Sequence, residues 1–208
     1  MSGGVGRSYR QAAQTPHTLS ELWVADLPES WEALGFNAVD HAIALDGVAI
    51  RFGDVNALAI RDFGGENLDG VPIVPAPDPP PSAVSQPNGV IGVDHFVIVT
   101  PDFDRTARVL DQRGMPLRRI RDAGGFRQGF RRLGPAILEL VEAHQMPPGP
   151  ARFWGVTLIA GDLQALAARL GPELLRPIKD AVQPGRRIAT LDRAAGHKTN
   201  VAFMTPEP

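Results

Sequence analysis

The chain has no cysteine among its 208 residues. Disulfides, thiolate nucleophiles and Cys-ligated zinc are therefore excluded, and a reducing compartment, the cytoplasm by default, is the expected location. Aromatic residues make up only 6%, with a single tyrosine, and the formal net charge is −2. Neither the stacking surface nor the basic balance of a nucleic-acid-binding chain is present. No run approaches the roughly 18–20 apolar residues needed to span a bilayer. The opening MSGGVGRSYRQAAQTPH carries two arginines but no apolar core of a secretory signal. No membrane or nucleic-acid partner is expected.

What remains is an ordinary globular balance, 43% hydrophobic and 21% charged. Punctuation then divides the chain. Between Pro72 and Pro87, seven of sixteen residues are proline; without N–H donors such a stretch reads as an extended linker or strap. The expected organisation is a disordered start over 1–17, a short module over 18–66, a proline-rich linker over 67–90, and a larger domain over 91–206. Met146-Pro147-Pro148-Gly149-Pro150 splits that domain into 91–145 and 151–206.

The two halves carry the same signals in the same order. GVDHFVIVT, 92–100, is β-branched and apolar, as in a strand buried on both faces. Asp104 reads as a cap for a helix over Arg105–Arg113, ended by Gly114. Strand-like pieces follow near Leu117–Asp122, Phe126–Leu133 and Ala136–Glu142, with Pro116 and Pro135 just outside them. After the break come a strand over Phe153–Ala160, a helix opened by Asp162-Leu163 and closed by Gly171, and strands near Leu175–Lys179, Arg186–Asp192 and Val201–Thr205. Pro177 marks the first of those three as an edge strand. Two βαβββ units predict an α+β fold in which tandem modules form a curved mixed sheet around a cleft. Leu19–Ala25, Glu29–Leu34, Ala42–Leu45, Val48–Phe52 and Ala57–Asp62 predict a third, shorter copy.

Paired βαβββ units, an opening strand carrying V-D-H and a closing strand reading ILELVE resemble the vicinal oxygen chelate superfamily. That group holds glyoxalases, bleomycin-resistance proteins, extradiol dioxygenases and methylmalonyl-CoA epimerase. The stretch PGRRIATLDRAAGHKTNVAFMTP looks like the tail of glyoxalase-like proteins without an assigned activity. The resemblance implies a divalent metal (Zn, Fe, Mn, Ni or Mg) held by His, Gln or Glu side chains from the first and last strands of each unit. Carried over, it offers His95 and Glu139 as metal ligands or catalytic residues. Alternation along a strand puts His95 on one face with Val93, Val97 and Val99, and Glu139 with Ile137 and Val141. A carboxylate inside AILELVE needs a partner if buried, and His95 is the natural one. In the second unit Gly155 falls where His95 stands, and Phe203 falls opposite Glu139. Neither ligates, so a degenerate metal site and no bound cofactor are expected.

The expected function is small-molecule binding in the cleft between the modules, lined by Trp154, Phe203 and Phe130, with Arg187 in the PGRR turn as a possible anion contact. The alternative is a metal-dependent lyase, isomerase or dioxygenase using His95 and Glu139, its site completed across a dimer. A homodimer is expected because an odd third unit leaves a sheet edge to cover. Nine arginines lie in 105–132 against Asp111 and Asp122. They read as solvated faces, with the sharper alternative that one or two address an anionic ligand.

Overall fold

A computed structural model describes residues 17–208. The expected disordered start lies outside the described residues except for His17, whose Nε2 meets the carbonyl oxygen of Arg113 at 2.7 Å. The N-terminal module consists of β1 (Thr18–Val24), α1 (Pro28–Glu32), β2 (Ala42–Ala44), β3 (Ala49–Phe52), β4 (Ala57–Arg61), β5 (Asn67–Leu68) and β6 (Val71–Val74). The larger domain follows as β7 (Val90–Thr100), α2 (Phe103–Gln112), β8 (Arg119–Asp122), β9 (Arg127–Leu133) and β10 (Ala136–Glu142). Then come β11 (Arg152–Ala160), α3 (Leu163–Leu170), β12 (Lys179–Asp180), β13 (Arg187–Thr190) and β14 (Asn200–Met204).

The eight strands of the larger domain form one sheet, ordered β12-β13-β14-β11-β7-β10-β9-β8. Within each unit the first strand lies parallel to the last, β7 to β10 and β11 to β14, and the units join through the antiparallel pair β7–β11. This is the tandem βαβββ, glyoxalase-like architecture that the resemblance implies. Apolar residues of one face, among them Phe96, Ile98, Leu138, Leu140 and Phe203, have no exposed surface. Phe103, Thr106 and Leu110 of α2 are buried at helical spacing, as are Leu163, Leu166 and Leu170 of α3. At roughly 1.5–3 kcal/mol for each fully buried large apolar side chain, this layer dominates the stability of the domain. Both helices are capped alike: Asp102 accepts from the N–H of Arg105 and Asp162 from that of Ala165. Asp102, not Asp104, is thus the cap, because Asp102 holds the extended backbone of a cap position while Asp104 already lies in the first turn of the helix.

The N-terminal module is present, and it is itself a pair. Its order is β2-β3-β1-β4-β6-β5. Remove β8 and β12 from the large sheet and the remaining six strands have the same succession of antiparallel and parallel neighbours. β4, expected to close the third unit, instead opens a fourth that lacks a helix. The small sheet thus repeats the central strand pattern of the large one within a single chain.

The expected linker begins in strands. β5 and β6 occupy 67–68 and 71–74, with Pro72 opposite Asn67 and the Ile73 and Val74 positions laddered to β4. A missing N–H is tolerated there because it falls in a two-residue outer pair. The strap after Val74 is held at both ends. Arg61 donates to the carbonyl of Pro77 at 2.8 Å, and Gln86 donates to that of Ala44 at 3.0 Å while accepting from the N–H of Asn37.

One apolar cluster runs through both sheets, from Leu22 and Trp31 to Phe96 and Phe203. Polar contacts also join them. Asp26 accepts from the N–H groups of Lys198 and Thr199, Trp31 meets His197 edge-on with ring centroids 5.6 Å apart, and Arg105 forks onto Asp69. Among the described residues no helix is long and apolar enough to cross a membrane.

Candidate functional site

The face of the large sheet opposite the helices encloses a cavity of about 340 Å³. Val97, Val99, Val141, Val156, Ile188 and Trp154 supply most of its apolar wall. His95, Gln128 and Glu139 gather on one side, all contributed by the first unit.

Strand alternation brings them together. Ile137 lies beside His95 and Glu139 beside Val97 in the parallel pair β7–β10, so both functional side chains rise from the same face. His95 Nε2 lies 3.5 Å from Glu139 Oε2. Gln128 donates to Glu139 Oε1 at 2.7 Å, and its own carbonyl oxygen accepts from Arg121 Nε at 2.6 Å. Burial pushes the Glu139 carboxyl above the ordinary glutamate range, partly opposed by His95 and Arg121.

A third partner stands behind His95. In the β7–β11 ladder Thr157 opposes His95 and Leu158 opposes Val93, which leaves Asp94 unopposed in a bulge. A bulge re-aims a side chain, and here it turns the Asp94 carboxylate onto its neighbour's ring, 2.7 Å from His95 Nδ1. Arg186, from the second unit, closes on the other carboxylate oxygen at 2.6 Å; its side chain is 4% exposed and that of Asp94 8%. Burial alone would raise the Asp94 carboxyl, but hydrogen bonds from His95 and Arg186 together hold it below the usual aspartate range. An ionised Asp94 accepts only, so Nδ1 of His95 carries a proton and Nε2 is the ring nitrogen turned toward Glu139 and the cavity.

The second unit presents the opposite wall. Asp94 and Trp154, His95 and Gly155, and Asp102 and Asp162 are separated by the same interval, and the first two pairs flank matching bulges. Gly155 therefore does occupy the counterpart of the His95 position. A Cβ there would run into the backbone carbonyl oxygen of Asn200, so no side chain fits without moving β14. The counterpart of Glu139 is Ala202, since Glu139 pairs with Val97 and Ala202 with Thr157, the counterpart of Val97. Phe203 is displaced by one residue from the expected position. That slip turns it to the other face, where it is wholly buried among the core residues and is not a cavity wall.

The remaining expected residues divide. Trp154, 49% exposed, stands at the cavity wall. Phe130 lies opposite Glu139 on the same sheet face but under the Arg121 guanidinium, 5.4 Å from its centroid, rather than in the wall. Arg187 alternates with the wall residue Ile188 and points away, toward Asp180 and the carbonyl of Ile178. Asp94 and Gln128 lie outside the expected set, whereas Arg121 is one of the nine arginines in 105–132 and Arg186 sits in the PGRR turn beside Arg187. Asp94 was visible in V-D-H, but only the bulge gives it a role.

Within one chain the donors fall short of a divalent-metal site. Zinc sites normally draw three or more protein ligands. Here the first unit offers His95 Nε2 and Glu139, the Gln128 amide is spent on Glu139, and the facing positions are Gly155 and Ala202. Among the described residues no group of three or more His, Asp or Glu side chains could hold an ion.

No protein-family model matches the chain, and no curated protein matches it. Solved structures do. Methylmalonyl-CoA epimerase from Mycobacterium tuberculosis aligns at 18% identity over 58% of this chain and 91% of that one, with a TM-score of 0.47. A variant of the Streptomyces coelicolor epimerase, in complex with 2-nitronate-propionyl-CoA, aligns at 18% identity over 57% of this chain and 99% of that one, TM-score 0.46. A hypothetical protein from Bacillus halodurans C-125 aligns at 12% identity over 56% and 94%, TM-score 0.46.

Proposed function

We propose that the chain is a small-molecule-binding protein whose glyoxalase-like cleft has lost metal coordination and now recognises its ligand through an apolar wall and one polar cluster. The observation that carries this is the contrast between the two walls. One holds His95, Glu139 and Gln128 in mutual hydrogen-bonding reach; the other offers Gly155 and Ala202, at one of which no ligating side chain can be built. A cavity of about 340 Å³ lies at the small end of ligand pockets, which span roughly 300–1,000 Å³. An aromatic ring or short aliphatic body fits its valines and Trp154. His95 Nε2 and the Glu139 carboxyl, whose charged form burial disfavours, are the polar groups that a ligand meets there.

The test is ligand-observed NMR with a panel of aromatic fragments, followed by backbone shift mapping. Perturbations should concentrate on Val97, Val99, Val141, Thr157 and Ala202. Shifts confined to other surfaces, or none with any fragment, overturn the reading. Protein purified without chelators should carry no stoichiometric divalent ion; one tightly held ion per chain overturns the metal-free part.

A second reading is supported by the Arg186–Asp94–His95 arrangement. An imidazole oriented by a buried carboxylate is a general base near neutral pH. In that reading His95 Nε2 takes a proton from a bound ligand and Glu139 supplies one, an isomerisation without metal. Exchange of ligand protons with deuterated solvent, abolished by His95→Gln, is its signature.

A further inference from the structure

The arginines of the first unit are not equivalent. Arg105 and Arg127 each close on a carboxylate, as do Arg176 and Arg186 in the second unit and Arg51 and Arg61 in the N-terminal module. Arg119, Arg121 and Arg132 have no such partner among the described residues. Strand register places all three on the cavity side of the sheet. Arg119 lies opposite Phe130 and Arg121 opposite Gln128, while Phe130 itself opposes Glu139; Arg132 opposes Ile137, the neighbour of His95.

Arg121 is the best placed. Its Nε is fixed by the Gln128 side chain, itself part of the cavity wall, and its flat face lies over the Phe130 ring. Both contacts hold the guanidinium still. Among the described residues its two terminal amino groups have no hydrogen-bond partner. A planar fork held in place with both outer donors free is the geometry that receives a carboxylate or a comparable oxyanion.

We propose that the ligand is an amphipathic anion: its apolar body lies against Val97, Val141 and Trp154, and its carboxylate, sulfonate or phosphate seats on Arg121, with Arg119 and Arg132 adding positive field at the rim. This rests on the cleft reading above and names the class of molecule it takes. Glu139 does not close the Arg121 fork: its carboxyl is engaged by Gln128 and faces His95.

Two dyes that differ by a single sulfonate separate the possibilities. 1-Anilinonaphthalene-8-sulfonate and N-phenyl-1-naphthylamine are titrated by fluorescence into the wild-type protein, Arg121→Gln and Ala202→Leu. The sulfonated dye should bind about tenfold more tightly than the neutral one, with a preference that shrinks as salt is raised. Arg121→Gln should erase the preference and leave the neutral dye unchanged. Ala202→Leu, which fills the cavity from its far wall, should weaken both. Equal affinities, or a preference that survives Arg121→Gln, overturn the anion inference and leave the cleft intact. If neither dye binds, or if Ala202→Leu changes neither, the cleft reading itself fails and this one with it.

Discussion

Arg186 and Asp94 are brought together from different units, guanidinium to carboxylate at 2.6 Å, with almost no solvent access to either. Arg186 also gives two hydrogen bonds to the carbonyl oxygen of Thr205. The pair therefore ties the turn before β13 and the end of β14 to the middle of β7, directly behind His95. Losing one member leaves an uncompensated buried charge, which typically costs about 3–5 kcal/mol. Arg186→Met should destabilise the protein by that order in urea unfolding followed by tryptophan fluorescence, and Asp94→Asn by less.

The same pair sets an acid limit. Asp94 has a folded-state carboxyl below its unfolded value. Its contribution is complete above the unfolded aspartate range and is lost as pH falls through the lower folded value. Wild-type stability should drop below about pH 4, where unfolded aspartates take up protons, and Asp94→Asn should flatten that drop. A melting profile with the same acid slope in both proteins counts against the pair.

Glu139 works in the opposite sense. Its folded carboxyl is raised, so between the unfolded glutamate value and that raised value the folded state binds more protons, and stability falls as pH rises. Glu139→Gln keeps an acceptor for Gln128 without a charge to bury. It should match the wild type near pH 4 and exceed its stability at pH 8. A variant that is equally stable or weaker at pH 8 would show that the carboxylate is better compensated than its surroundings imply.

Trp154 and Phe203 separate wall from core. Phe203→Ala removes a fully buried ring and should cost about 3–5 kcal/mol. Trp154→Ala removes a half-exposed one, should cost under about 1 kcal/mol, and should weaken aromatic fragments in the cavity. Thermal melts and fragment titrations on the two variants provide the comparison; similar melting losses would contradict the assignment of faces.

Gly155→Ala probes the closed ligand position. Its Cβ meets backbone rather than a flexible side chain, so β14 must shift. Overpacking of this kind costs about 1–3 kcal/mol. Gly155→His should be worse and should gain no affinity for zinc, measured by calorimetry.

How much of this was legible beforehand depends on which forces act locally. The paired units were readable because strand runs, Gly114 and Gly171, and the helix-opening aspartates are short-range signals repeated at one spacing. His95 and Glu139 were readable because an ionisable residue inside an apolar strand stands out. Phe203 falls one residue from the true counterpart because the β11–β14 register, which pairs Ala202 with Thr157, is set between strands and not by any local signal; period two then converts the one-residue error into the wrong face. Arg186, beside the expected Arg187, gains its role only from the contact with Asp94 in the other unit. β5 and β6 were hidden by Pro72 and Pro75, since their pairing depends on β4, which no local pattern announces. Asp94 gains its role from a bulge and from a carboxylate–guanidinium contact that spans the two units, neither of them a local signal.

The attachment of the small sheet has a consequence for dilution. Asp26 grips the Lys198 and Thr199 amides, on the segment that leads into the cavity strand β14. Both halves of that grip belong to one polypeptide, so no dissociation constant governs it. The back of the cleft stays supported at nanomolar protein as well as at millimolar, a buttress that an independently folded partner provides only above its own threshold concentration.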